Sequence, residues 1–233
     1  MTGFLASVTS VEEAQVALGI ADIIDLKNPL LGALGALPVN VVEDVVRFVD
    51  GRKPVSATVG DLPMSPDIVR KAVGMMAETG VDIVKVGFFG RLGHAACART
   101  LSGLARDCKI VAVLFADQQP DFSLLDRLAE GGFYGVMLDT ADKGAGNLCR
   151  WMDDEVLHLF VSKGKSLNMA TGLAGSLNWT DIPRLSEINP DYLGFRGALC
   201  RQGDRRSNLD GWMVKRVAEM LQGCNRLAPP IAA

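Results

Sequence analysis

Histidine is nearly absent from this chain, which holds only His94 and His158. That argues against a histidine-rich metal site. The five cysteines, at 97, 108, 149, 200 and 224, form no C-x-x-C pair and are odd in number. They read as reduced, buried thiols, which excludes a disulfide framework and suggests a cytoplasmic setting. Aromatic residues are only 6%, no basic cluster interleaves them, and the formal net charge is −3. Nucleic acid is therefore not an expected partner. No apolar run approaches the length of a membrane span, and Ile110–Ala116 is typical of those present. Met1–Ser10 lacks the cationic start and apolar stretch of a signal peptide. No G-x-G-x-x-G follows the first strand-like runs, which weakens an open dinucleotide-binding sheet.

What is present is a regular alternation. Hydrophobic residues are 48% and charged residues 22%, enough for a full core in one domain. Strand-like runs occur at 5–8, 21–27, 54–59, 82–88, 110–115, 135–140, 166–171 and 192–197. Helix-like stretches follow at 11–19, 39–49, 66–79, 93–107, 122–130, 148–162, 182–188 and 209–222. Ser10, Asn40, Ser65, Asp121, Asn147, Asp181 and Asn208 are candidate caps. Eight βα units in this length predict a single α/β domain, a (β/α)8 TIM barrel over residues 1–226, with a flexible tail at 227–233. A weak repeat supports closure. Asp22-Ile23-Ile24-Asp25-Leu26-Lys27 aligns with Asp82-Ile83-Val84-Lys85-Val86-Gly87, and Asp191–Arg196 follows the same outline.

Charge stands where barrels keep their sites, at the C-terminal ends of the strands. Strand 2 ends in Asp25-x-Lys27, strand 4 carries Lys85, strand 6 ends in Asp139 with Lys143 beyond, and strand 8 ends in Arg196-Gly197. The repeat register sets Lys85 level with Asp25, one layer beneath Lys27, and Arg196 level with Lys27. A free lysine, with a pKa of about 10.4, is not nucleophilic at neutral pH. Burial and nearby cations lower that value and free the amine to form a Schiff base with a carbonyl. The carboxylates then serve as proton shuttles and counter-ions. Deprotonation beside the iminium gives an enamine, the start of aldol chemistry. A single strand-end Lys–Asp pair could be a structural ion pair, and Arg196 could pair with a carboxylate on a neighbouring loop.

Glycine-bearing segments after strands 7 and 8 suggest phosphate handling. Gly172 and Gly175 lie in Thr171–Ser176, and Gly197-Ala198 follows Arg196. Backbone N–H groups in such loops commonly cradle a phosphate, although these glycines could equally make tight turns. Asn28-Pro29, with Gly32 and Gly35, could form a lid over the mouth.

At four segments the chain resembles the (5-formylfuran-3-yl)methyl phosphate synthases, which make the furan precursor of methanofuran and of its counterpart in methylotrophic bacteria. The segments are Ala21–Pro29, Val81–Gly87, Met137–Lys143 and Gly194–Cys200, and they span nearly the whole chain. The loop Gly144–Asn147 departs from the more charged loop of that family. The resemblance implies a (β/α)8 lyase that condenses two molecules of glyceraldehyde 3-phosphate without metal or organic cofactor. It implies Lys27 as the Schiff-base lysine, Lys85 as proton acceptor, and Asp25, Asp139 and Lys143 as further catalytic residues. Triose phosphates are then the expected partners, with no nucleic acid and no membrane. Assembly into a homo-oligomer through the outer helices is compatible with such a barrel. Two competing readings are a class I aldolase for another phosphosugar and a non-catalytic barrel that binds a phosphometabolite.

Overall fold

Most strands are short runs rich in Val, Ile, Leu and Ala, and beyond their first residues they are buried on both faces, as parallel strands are. The computed structural model describes residues 1–227 and contains the strands β1 (Gly3–Val8), β2 (Ile23–Leu26), β3 (Val55–Thr58), β4 (Ile83–Phe88), β5 (Lys109–Phe115), β6 (Gly135–Asp139), β7 (Ala170–Leu173) and β8 (Tyr192–Phe195). All neighbours pair in parallel, in sequence order, and β8 pairs with β1 to close the barrel. The expected (β/α)8 TIM barrel is the fold that forms.

The helices are α1 (Val11–Leu18), α2 (Val39–Val49), α3 (Pro66–Ala77), α4 (His94–Leu101), α5 (Leu124–Glu130), α6 (Leu148–Trp151), α7 (Asp154–Ser166), α8 (Ile182–Glu187) and α9 (Gly211–Leu227). Ser10 caps α1 as expected, its hydroxyl accepting from the Glu13 amide at 3.3 Å. Asn40 instead lies inside α2, which starts behind Pro38. The stretch expected as one helix at 148–162 is two. Asp153 accepts from the Val156 amide at 2.9 Å and starts a new helix, with Asp154 and Glu155 favouring its positive end. That helix runs on to Ser166, and Asn168 turns the chain with a φ of 57°. Strand β7 therefore begins at Ala170, not at 166 as the apolar pattern suggested. Of the expected tail, Leu227 closes α9, and residues 228–233 lie outside the described residues.

The repeated aspartates have a structural role on the barrel floor. Asp22 accepts from the Phe4 amide at 2.8 Å, Asp82 from Val55 at 2.7 Å and Asp191 from Thr171 at 2.7 Å. Each sits one residue before an even strand, and its carboxylate takes an amide of the preceding odd strand. These bonds fix the entry register of three strand pairs.

Period-two alternation divides the lumen into an apolar floor and a polar mouth. Leu5, Ile23, Ile83 and Met137 are buried together with Val111 and Val113. Two residues further along the same strands stand Ser7, Asp25, Lys85 and Asp139, each buried. The charged groups thus rest on a hydrocarbon floor.

Candidate active site

Neighbouring strands set the surroundings of Asp25. Register places Ser7 of β1 and Ser56 of β3 on either side of it. Ser7 Oγ donates to Asp25 at 2.8 Å, Ser56 Oγ at 2.6 Å, and Lys85 Nζ lies 2.7 Å from the same carboxylate. Burial opposes ionisation of Asp25, but the ammoniums of Lys85 and Lys27 and the donated hydrogen bonds outweigh it and lower its pKa. Burial also pushes the Lys85 amine down, and the Lys27 charge adds to this against the opposing pull of Asp25. At an effective dielectric near 20, attraction across 2.7 Å is roughly 6 kcal/mol. Desolvating two ions costs several kcal/mol each. The pair therefore adds little net stability.

Lys27 follows β2 and crosses the barrel. Its Nζ donates to Asp139 Oδ2 of β6, the strand opposite, at 3.0 Å. Asp139 Oδ1 accepts from Lys143 Nζ and, at 2.7 Å, from the Thr140 amide. Burial would raise the Asp139 carboxyl, yet the Lys143 and Lys27 ammoniums hold it well below the usual range. Lys143 is pushed down to about 8, first by burial, with Asp139 opposing and the Lys27 and Arg205 charges contributing. An amine at that value exchanges protons near neutral pH.

These groups line one cavity of about 360 Å³ at the barrel mouth. That is the size of an ordinary small-molecule site. Five cationic and three anionic side chains line it, in a chain whose formal net charge is −3. A locally positive cavity in a negative protein favours an anionic ligand.

The 4-HFC-P synthase family model matches residues 4–218. This chain belongs to that family. A Methylorubrum extorquens protein that provisionally carries the name (5-formylfuran-3-yl)methyl phosphate synthase is 40% identical over 219 residues, 94% of this chain and 91% of its own length. The (5-formylfuran-3-yl)methyl phosphate synthase of Methanopyrus kandleri is 35% identical over 231 residues, 93% and 98% of the two chains. A solved structure of 3-keto-L-gulonate-6-phosphate decarboxylase from Vibrio cholerae superposes with a TM-score of 0.68 at 13% identity, covering 98% of this chain and 99% of its own, a likeness of fold. The resemblance read from the four sequence segments is thus borne out.

Within the barrel, Lys27, Lys85, Asp25, Asp139 and Lys143 all line the cavity. Asp25 and Lys27, read as neighbours on one face of strand 2, do not pair with each other. Lys27 takes Asp139 as its hydrogen-bonding partner, and Asp25 takes Lys85. Gly175, Gly197 and Ala198 also line the cavity, and the amides of Ser176, Leu177, Gly197 and Ala198 have no backbone acceptor among the described residues. The Gly144–Asn147 loop is docked against the same wall. The Leu148 amide donates to Gly175 O at 2.9 Å, and Asn147 Nδ2 to Asp181 at 3.1 Å.

Two expected phosphate contacts need correction. Gly172 lies within β7, paired with Met137 of β6 and Tyr192 of β8, below the mouth cavity. A Cβ there would stand 2.5 Å from Met137 Cε, so Gly172 makes room for packing. Its misassignment follows from the shifted start of β7. Arg196 reaches the cavity wall, but all of its N–H donors have protein acceptors. Nη1 and Nη2 grip Glu13 at 2.5 and 3.1 Å, and carbonyls of Arg205, Ser7 and Ser207 accept at 2.9, 3.1 and 2.9 Å. Glu13 also accepts from the Thr9 and Leu209 amides at 2.8 and 3.1 Å. The clamp ties α1 to the segment after β8; the ion-pair alternative for Arg196 holds, with its carboxylate on a helix and not on a neighbouring loop. Sequence reasoning missed Ser7, Ser56 and Arg205. Inward hydroxyls beside Asp25 become visible only once the strand register is known, and Arg205 lies in a loop without periodicity.

Proposed function

We propose that this chain is a Schiff-base lyase that condenses two molecules of glyceraldehyde 3-phosphate into (5-formylfuran-3-yl)methyl phosphate. The observation that carries the reading is the buried Lys27 ammonium sharing Asp139 with Lys143, beside the Lys85–Asp25 pair, in one positive cavity. Membership of the 4-HFC-P synthase family supports the product.

In this mechanism the Lys27 ammonium first gives up one proton to solvent at the open mouth; the free amine then adds to the carbonyl carbon of one triose phosphate, and water leaves to form the iminium. Asp139 stays ionised and balances its charge. Lys85, whose amine is lowered by burial, takes the proton from the adjacent carbon, and Asp25 holds the resulting ammonium. The enamine carbon attacks the aldehyde carbon of the second triose, and Lys143 exchanges the proton at the new hydroxyl. Hydrolysis of the iminium frees Lys27, and ring closure with elimination completes the furan. Two trioses supply six carbons; one phosphate and two waters leave, which balances the product. The reaction needs no redox partner.

Incubation of the purified protein with glyceraldehyde 3-phosphate tests this reading. A furan-aldehyde absorbance with one phosphate released per furan is expected. Reversible aldol products without phosphate release would establish an aldolase and overturn it. Lys85→Ala is expected to retain binding while turnover slows.

A further inference from the structure

The mouth holds a second guanidinium, and its situation is the opposite of that of Arg196. Arg205 lies half-buried in the loop between β8 and α9 and lines the cavity. One N–H, on Nη2, donates to Gly32 O at 3.1 Å. Its other N–H groups have no protein acceptor among the described residues, and no carboxylate pairs with it. The nearby carboxylates are already engaged. Asp204 accepts from the Arg206 amide at 3.0 Å and Ser207 Oγ at 3.3 Å. Asp61 accepts from the Ala33 and Leu34 amides at 2.8 and 2.6 Å. Asp139 is held between Lys27 and Lys143. Leaving a partly desolvated guanidinium unpaired is unfavourable without a ligand.

The fold holds Arg205 there from behind. Arg196 Nε donates to the Arg205 carbonyl at 2.9 Å. Gly197 lets the loop pack closely, since a Cβ on it would stand 3.0 Å from Gly203 O. A planar fork of donors facing a cavity is suited to a phosphate, which accepts two parallel N–H bonds. The uncommitted amides of Ser176, Leu177, Gly197 and Ala198 offer an anion position of their own on the wall formed after β7 and β8. We propose that Arg205 grips a phosphate of the substrate, at a position separate from this amide cradle, and that its bond to Gly32 ties the loop after β2 to the occupied site. The identity of the ligand as a triose phosphate rests on the function proposed above; the phosphate grip itself does not.

Isothermal titration with glycerol 3-phosphate, which cannot form a Schiff base, tests the grip without turnover. Arg205→Gln is expected to weaken binding roughly ten- to a hundredfold, as loss of a charge-assisted contact does. Arg205→Lys is expected to recover part of it, because an ammonium restores the charge but not the fork. Glycerol should bind neither wild type nor variants measurably. With glyceraldehyde 3-phosphate, KM should rise by a similar factor. An unchanged affinity for glycerol 3-phosphate in either variant, with an unchanged melting temperature, overturns the proposal. So does a wild type that does not bind glycerol 3-phosphate. A wild type that binds it through Arg205 but yields no furan refutes the condensation and leaves the phosphate grip standing.

Discussion

Replacing Lys143 by Met removes a charge that the fold holds at a cost. Burial brings the Lys143 pKa from 10.5 to about 8. The unfolded chain therefore keeps this proton up to about pH 10.5, while the folded protein releases it near pH 8. Over that window the unfolded state binds more protons, so stability rises with pH. Each decade is worth about 1.4 kcal/mol, which gives a gain of roughly 3 kcal/mol for the wild type by pH 10.5. Lys143→Met keeps the length of the side chain and leaves Asp139 with Lys27 and the Thr140 amide. Its stability should lack that gain. Urea unfolding at steps from pH 7 to 10.5 reads the difference directly, against a total stability of about 5–15 kcal/mol for a typical domain. The variant's advantage should be largest at pH 7 and disappear by about pH 10.5. Parallel stability curves for the two proteins would refute the reasoning, since they would mean that Lys143 carries no burial penalty.

Two further substitutions test the corrected assignments. Arg196→Met should destabilise the protein by about 3–5 kcal/mol, because it leaves the buried Glu13 carboxylate unpaired; thermal unfolding measures this, and a loss below about 1 kcal/mol would contradict the clamp. Gly172→Ala should lower stability by roughly 1–3 kcal/mol through the Met137 contact while leaving the KM for the triose phosphate unchanged; a raised KM with unchanged stability would return Gly172 to the binding surface.

The strands were legible because their β-branched runs are short and bounded, and the alternation with helices dictated the barrel. Boundaries failed where local signals competed. The apolar character of Leu167 and Met169 suggested a strand, but α7 continues to Ser166 and Asn168 makes the turn. The convergence of Asp25, Lys27, Lys85, Asp139 and Lys143 on one cavity was legible from their places near strand ends. Their partners were not. The Lys27–Asp139 contact joins residues 112 positions apart across the lumen, a distance over which no local pattern speaks. Arg196 was read as a phosphate contact and Arg205 was not singled out, for a similar reason. Glu13, which takes up Arg196, lies on a helix 183 positions away, and nothing in the sequence distinguishes Arg205 from other loop arginines.

The central claim is the covalent bond at Lys27. Borohydride reduction during incubation with glyceraldehyde 3-phosphate, followed by peptide mass analysis, tests it most directly. The account predicts a reduced triose phosphate adduct on Lys27 that is lost in Lys27→Ala. An adduct on Lys143 alone, or no added mass during active turnover, would contradict it.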